Sequence, residues 1–214
     1  MTQDPKTQNR ERRREIMDLA TDLFLENGFA ATSMSRVAQA AGITKASLYH
    51  HFPGKEDLFA GCVAHGYADA IERLRDIAAD RSLTHAERMR QAILSSYDTI
   101  IFSRVGRMSP LIAEVSRSFP KVAHGFHQGF IAPQESIVRS LIDDGVDAGA
   151  FVDVDRAVFV HLLFGPIVTL SMSREMFATF EDRDTLLPVT KLRDGHIDRM
   201  IAWLTEGVPR AEPR

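Results

Sequence analysis

The stretch from Thr32 to Lys55, TSMSRVAQAAGITKASLYHHFPGK, leaves the chain few local folds to choose from. Met34, Val37, Ala38 and Ala41 recur at i, i+3, i+4 and i+7, which puts one apolar stripe on a short helix. Ser33 is placed to cap that helix and Gly42 to end it. Thr44 then opens a second helix over Lys45 to His51, with Leu48 and Phe52 turned inward and Lys45, Ser47, Tyr49 and His50 left outside. Helix, tight turn and a short helix with a polar outer face form the helix-turn-helix pattern.

Charge agrees with that pattern. From Asn27 to Lys55 the basic residues are Arg36, Lys45 and Lys55, and no Asp or Glu occurs. The whole chain carries a formal charge of -3 with a pI near 6.2. A test on net charge therefore misses a nucleic-acid binder here, because a phosphate responds to the local field.

The remaining sequence predicts an all-α protein of about nine helices, with a small N-terminal domain and a larger C-terminal one. Residues 1–9 are polar, include Pro5 and are expected to be a disordered arm. Arg10, Arg12, Arg13 and Arg14 follow, either as a solvated helix start or as a basic arm that reaches a DNA backbone or minor groove. From Glu11 the spacing of Ile16, Leu19, Ala20, Leu23 and Phe24 predicts a helix ending at Asn27-Gly28. Residues 10–54 thus make a three-helix domain, and 55–214 a helical regulatory and dimerisation domain. Its first helix, 55–80, starts with Glu56 and Asp57 against the helix dipole and spans about 39 Å, long enough to act as a lever. Thr84 caps a helix to about Val105, and Ser109-Pro110 starts a short one to about Arg117. Ser118-Phe119-Pro120 opens a helix to about Ala148 that Pro133 breaks or kinks one turn earlier. Asp153 caps a helix to about Phe177, the loop EDRDT follows, and Pro188 to about Glu206 is the last helix. No β-alternating run, repeat or low-complexity tract stands out.

A lone cysteine, Cys62, excludes an intramolecular disulfide and fits a reducing compartment. The N-terminus has no apolar run like a signal peptide, and no segment is expected to approach the roughly 20 apolar residues of a membrane span, so the cytoplasm is the expected location. The chain shows no nucleophile elbow, phosphate loop or paired metal site, and the best acid-base pairing is His127 with Glu114 or Glu135. His124 and His127 at i, i+3 lack a third ligand. Neither catalysis nor a metal or cofactor is expected.

The segment TSMSRVAQAAGITKASLYHHFPGKEDLF resembles the helix-turn-helix signature of the TetR family of one-component transcriptional regulators. Val37-Ala38, Ala41-Gly42-Ile43, Leu48-Tyr49 and the block from Phe52 to Phe59 carry the resemblance, which runs for about 45 residues from Ile16. Further on, SPLIAEVSRSFPKVAHGF resembles the AefR-like branch of these regulators. The resemblance implies that Ser33 contacts a phosphate, that Thr44, Lys45, Ala46, Ser47, Tyr49 and His50 line the recognition helix, and that Lys55 holds a second phosphate. The chemistry is suitable: a lysine donates to guanine O6 and N7, an alanine admits a thymine methyl, and hydroxyls bond to phosphates. Arg36 stands where a capping box has Glu or Gln, and adds a cation instead.

One short recognition helix reads too few bases for useful specificity, so two copies on two half-sites of double-stranded operator DNA are expected. Ala157, Phe164, Gly165 and Val168, with His161, and Leu192, His196, Met200 and Trp203 leave more apolar surface than one core needs. The resemblance implies that they pair across a twofold axis as a four-helix bundle, although packing within one chain is the alternative. It also implies a small-molecule pocket among Tyr97, Phe102, Met108, Phe126, His127, Phe130 and His161, with Met172 nearby, suited to a mainly apolar effector with one polar group. Core packing is the alternative there too. The function expected is a ligand-released repressor, with a DNA-binding dimer lacking any ligand as the second possibility.

Overall fold

The computed structural model describes residues 5–207, and every regular element among them is helical. The helices are α1 (Pro5–Ala31), α2 (Met34–Ala40), α3 (Lys45–His51), α4 (Lys55–Ala79), α5 (His85–Tyr97), α6 (Ser109–Ser118), α7 (Pro120–Phe126), α8 (Ala132–Asp147), α9 (Arg156–Met176), α10 (Arg183–Leu186) and α11 (Val189–Glu206). π turns at Asp98–Phe102 and His127–Ile131 extend α5 and join α7 to α8. With those turns counted as continuous and the single turn of α10 set aside, the described residues hold the nine rods that the sequence predicts. Compactness divides the chain into two units, one of residues up to 69 with 107–130, the other of 70–106 with residues from 131 on. The sequence draws its boundary at residue 54, whereas compactness groups the first part of α4, with α6 and α7, in the unit that holds the helix-turn-helix.

In the first unit α1 buries Ile16, Ala20 and Phe24 completely. Gly28, at φ 75°, interrupts the helical path where the sequence expects it to end. Phe24, Phe29 and Phe59 pack with ring centroids 5.0 to 5.8 Å apart, a geometry that adds to the area they bury. Tyr67 of α4 lies 4.0 Å from Phe130 and 5.2 Å from Phe126, and its hydroxyl bonds to Ser109. Burial pushes that hydroxyl up to about 12.

In the second unit Met89, Ile93, Ile142, Phe159, Leu163, Ile167 and Leu204 are completely buried. Thr84 and Glu87 form a reciprocal capping box at the start of α5. Arg88 is buried, and its Nη1 donates to the carbonyl of Ala78 at 3.0 Å and to Asp144 at 3.3 Å, while its buried Nε has no hydrogen-bond partner. Burial disfavours the Asp144 carboxylate, but Arg81 and Arg88 outweigh it and hold the group below its ordinary value. At Gly145 a side chain would collide with the Phe151 ring, so glycine there is a packing requirement. Pro166 sits inside α9, and the carbonyl four residues back, Leu162, loses its helical donor. His196 Nε2 of α11 lies 3.3 Å from that oxygen, and its Nδ1 lies 3.0 Å from the Tyr97 hydroxyl.

Four local expectations need correction. Residues 1–4 of the arm lie outside the described residues, but from Pro5 on the arm is helical, because residues 6–14 contain neither Gly nor Pro. The cap of α9 is Asp155, whose carboxylate accepts from the Val158 amide at 2.9 Å, while Asp153 pairs with Arg156. The EDRDT loop is not wholly irregular, since α10 starts within it at Arg183 and ends one residue past it at Leu186. Lastly, Arg156–Met176 is long and apolar enough to cross a membrane by length and composition, though its inner side packs within the unit. The break near Pro133 takes the form of the π turn just before it, since proline cannot donate to the carbonyl one turn back.

Candidate nucleic-acid interface

Both helices of the reading motif start on a side-chain cap. Ser33 Oγ accepts from the Arg36 amide at 3.2 Å, and Thr44 Oγ1 accepts from the Ser47 amide at 3.1 Å. The turn between them is a full Schellman motif: Ile43 N donates to Ala38 O at 3.0 Å and Gly42 N to Gln39 O at 3.1 Å, with Gly42 at φ 63°. Val37, Ala38 and Met34 from α2 and Leu48 from α3 are buried, which fixes the rotation of α3 about its own axis.

What α3 leaves outside is polar or small. Ser33, Thr44, Lys45, Ala46, Tyr49 and His50 are exposed, and Ser47 is half-buried. Lys45 Nζ lies 5.9 Å from the Tyr49 ring centre, one helical turn on, so the cation and the ring stand side by side. Lys55 is more committed than the sequence suggests. Its Nζ donates to the carbonyl of Phe29 at 2.8 Å, approaches that of Ala30 at 3.4 Å, and sits 4.2 Å over the Phe29 ring. It ties the start of α4 to the end of α1, and only part of its donor capacity remains for a phosphate.

Two residues that sequence reasoning treated only as part of a basic run prove to hold the motif. Arg12 Nη2 donates to Ala41 O and Arg13 Nη1 to His51 O, each at 2.5 Å. The Arg13 guanidinium also lies 4.0 Å over the Phe52 ring. Burial, together with His50, Arg13 and Arg12, lowers the pKa of His51. Cations at this end of α3 thus make up part of a positive field, as an anion-binding surface requires.

The family model for bacterial regulatory proteins, tetR family, matches residues 16–62, the residues that build this motif. Residues 16–62 thus carry a tetR-family segment. The HTH-type transcriptional repressor KstR2 of Rhodococcus jostii (strain RHA1) is 36% identical over 89 residues, a match that spans 42% of this chain and 43% of that repressor. The chain thus spans less than half the length of that curated relative. Among solved structures, the fatty acid degradation regulator FadR of Bacillus halodurans superposes with a TM-score of 0.71 at 15% identity, covering 99% of this chain and 100% of that one. FadR of Bacillus subtilis in complex with stearoyl-CoA superposes with a TM-score of 0.69 at 18% identity, covering 90% and 97%. At such identities the likeness shows the fold alone.

The residues expected to line an effector pocket are divided between the two units. Met108, Phe126, His127 and Phe130 belong to the first, and Tyr97, Phe102 and His161 to the second. Met108, Tyr97 and Phe130 are buried and Phe126 partly so. His127 and His161 are exposed, so neither is turned into its own unit's core. Phe102 is 56% exposed and lines a groove of about 620 Å³ with Arg174, Asp184 and the first turn of α11.

The outer faces of α9 and α11 also sort differently from expectation. Ala157, Val168 and Leu192 are exposed and Phe164 and Gly165 half-buried. Met200 is buried in the unit's core, Trp203 packs 5.2 Å from Phe159, and His196 is bonded to Tyr97 and Leu162. Those three serve their own unit's interior. Val158 and Leu162, which the sequence places on this helix but not on the pairing surface, are 48% and 46% exposed and extend the apolar face through Val168 at 46%. Their spacing on one helical stripe is the signal that was available.

Proposed function

We propose that the protein is a transcriptional repressor that reads a palindromic operator as a homodimer and is released by a small, mainly apolar effector. The observation that carries this is α3, a capped helix without acidic residues, rotated by buried Leu48 so that Thr44, Lys45, Ala46, Tyr49 and His50 face outward. Lys45 is the base reader, Ser33 and Tyr49 are backbone contacts, and Lys55 gives its remaining N–H to a phosphate while holding α1. KstR2 of Rhodococcus jostii, named a transcriptional repressor, supports the direction of control.

The exposed stripe of Val158, Leu162 and Val168 on α9, with Leu192 on α11, is the surface for a second copy, because so much apolar exposure on two adjacent helices calls for a partner. The stearoyl-CoA bound by Bacillus subtilis FadR supports an apolar effector, and the aromatic cluster of Tyr67, Phe126 and Phe130 is a fitting contact for one. Effector binding changes the helix packing and, through α4, the spacing of the two α3 helices. By linkage, operator DNA weakens effector binding by the same factor. Such a regulator works beside the genome, in the cytoplasm, and performs no catalysis.

Selection of duplexes from a random pool tests the proposal. A palindromic consensus is expected, and Lys45→Ala should relax one position of each half-site by about 1 to 3 kcal/mol. Lys55→Ala should weaken all duplexes alike and lower the salt slope by about one unit. Enrichment of no sequence would overturn the proposal.

A further inference from the structure

Arg12 and Arg13 are consecutive in α1, so their side chains leave the helix about 100° apart and can serve two different neighbours. Arg12 donates to the carbonyl of Ala41, the C-cap residue of α2. Arg13 donates to the carbonyl of His51, the last residue of α3, and its guanidinium covers Phe52, which is 1% exposed. Terminal carbonyls have no partner within their own helix and carry the negative end of its dipole, so a guanidinium satisfies bonding and charge together. Each helix of the motif is only seven residues long. Helices so short hold little stability of their own and take their direction from what grips their ends. The N-terminal ends are gripped locally by Ser33 and Thr44. The C-terminal ends are gripped by one dipeptide, 29 and 38 residues away in sequence. Arg12 also pairs with Glu15 at 2.6 Å, which spends part of its charge away from any phosphate. The lowered pKa of His51, to which both arginines contribute, agrees with this placement.

We propose that Arg12 and Arg13 are positioning residues for sequence reading: they clamp the C-terminal ends of α2 and α3 to α1 and so set the tilt at which α3 presents Lys45 to a base edge, instead of acting as a basic arm on the DNA backbone. The inference rests on the proposed DNA reading. Arg10 and Arg14, both exposed, remain the residues suited to an arm.

The test begins with wild-type protein and a random duplex pool. Arg10→Ala, Arg12→Ala and Arg13→Ala, with Arg12→Lys and Arg13→Lys, are then measured on the selected duplex and on a random-sequence duplex across a salt series. Each clamp alanine should weaken the selected duplex about tenfold, with random-sequence affinity within about twofold and the salt slope unchanged. The lysine variants, which keep one charged donor, should lose about threefold. Arg10→Ala should do the opposite, lowering the slope and weakening both duplexes alike. Should an alanine variant melt below the assay temperature, the lysine pair decides, and unchanged selectivity in that pair overturns the clamp. A slope reduced by about one unit in Arg12→Ala or Arg13→Ala, with both duplexes weakened equally, overturns it in favour of an arm. A wild type that enriches no duplex overturns the regulator proposal itself, a result distinct from a selective wild type with indifferent variants.

Discussion

Helices α3 and α9 both bury one stripe and expose another, yet they leave opposite materials outside. Seven-residue α3 buries Leu48 and presents Thr44, Lys45, Ala46, Tyr49 and His50. Twenty-one-residue α9 buries Phe159, Leu163 and Ile167 and presents Val158, Leu162 and Val168. A hydroxyl and ammonium surface is suited to a hydrated polyanion, whereas an aliphatic surface gains only where water is displaced. The inner stripes explain why each helix is where it is. The outer stripes carry the roles proposed for each, and length decides how far each depends on others to stay in place.

The sharpest way to break this contrast is through the buried stripe of the shorter helix. Leu48→Ala leaves a cavity under α3 and should cost about 2 to 5 kcal/mol in urea unfolding, with operator binding lost as well. Full stability together with intact binding would mean that α3 is oriented by something else. Next, Leu162→Glu places charge in the proposed pairing surface. Light scattering should then report monomer while the helical spectrum is unchanged, and a persistent dimer would remove α9 from the interface.

The caps offer a finer comparison. Thr44→Ala and Asp155→Ala each lose one capping bond, worth about 1 kcal/mol. Thr44→Ala should also reduce operator affinity, because α3 is too short to absorb a frayed turn, while Asp155→Ala should leave affinity alone. Equal effects on binding would erase the distinction between the two helices. The smallest expected effect concerns pH. Burial lowers the pKa of His196 from its ordinary 6.5, against the opposing bond to Leu162. As pH falls below 6.5 the unfolded chain takes up the proton first, so stability declines there and is fully present above it. His196→Gln should flatten that part of the stability profile, with the remaining slope due to other groups such as His51, whose pKa is also lowered.

The parts of this molecule legible in the sequence are those decided within a turn or two. Ser33, Gly42 and Thr44 act on neighbours three or four residues away, and their roles follow from spacing alone. Asp153 and Asp155 show the limit of that approach: two identical capping side chains lie two residues apart, and only the path of the backbone decides which carboxylate meets the Val158 amide. The clamp on α2 and α3 was hidden because its acceptors are carbonyls, which every residue owns and no sequence pattern marks. Met200 and Trp203 fell on the expected helix but on its inner side, since periodicity gives a stripe without saying which neighbour it faces.

The proline inside α9 has a consequence for how this chain can change over time. Position 166 cannot supply the amide that Leu162 needs, and an imidazole from another helix answers for it. The two sites therefore share one obligation. A descendant that replaces His196 with a residue unable to donate is expected to lose Pro166 as well, and relatives with an ordinary residue at 166 should tolerate almost anything small enough at 196. Variation at these positions should be inherited as a pair.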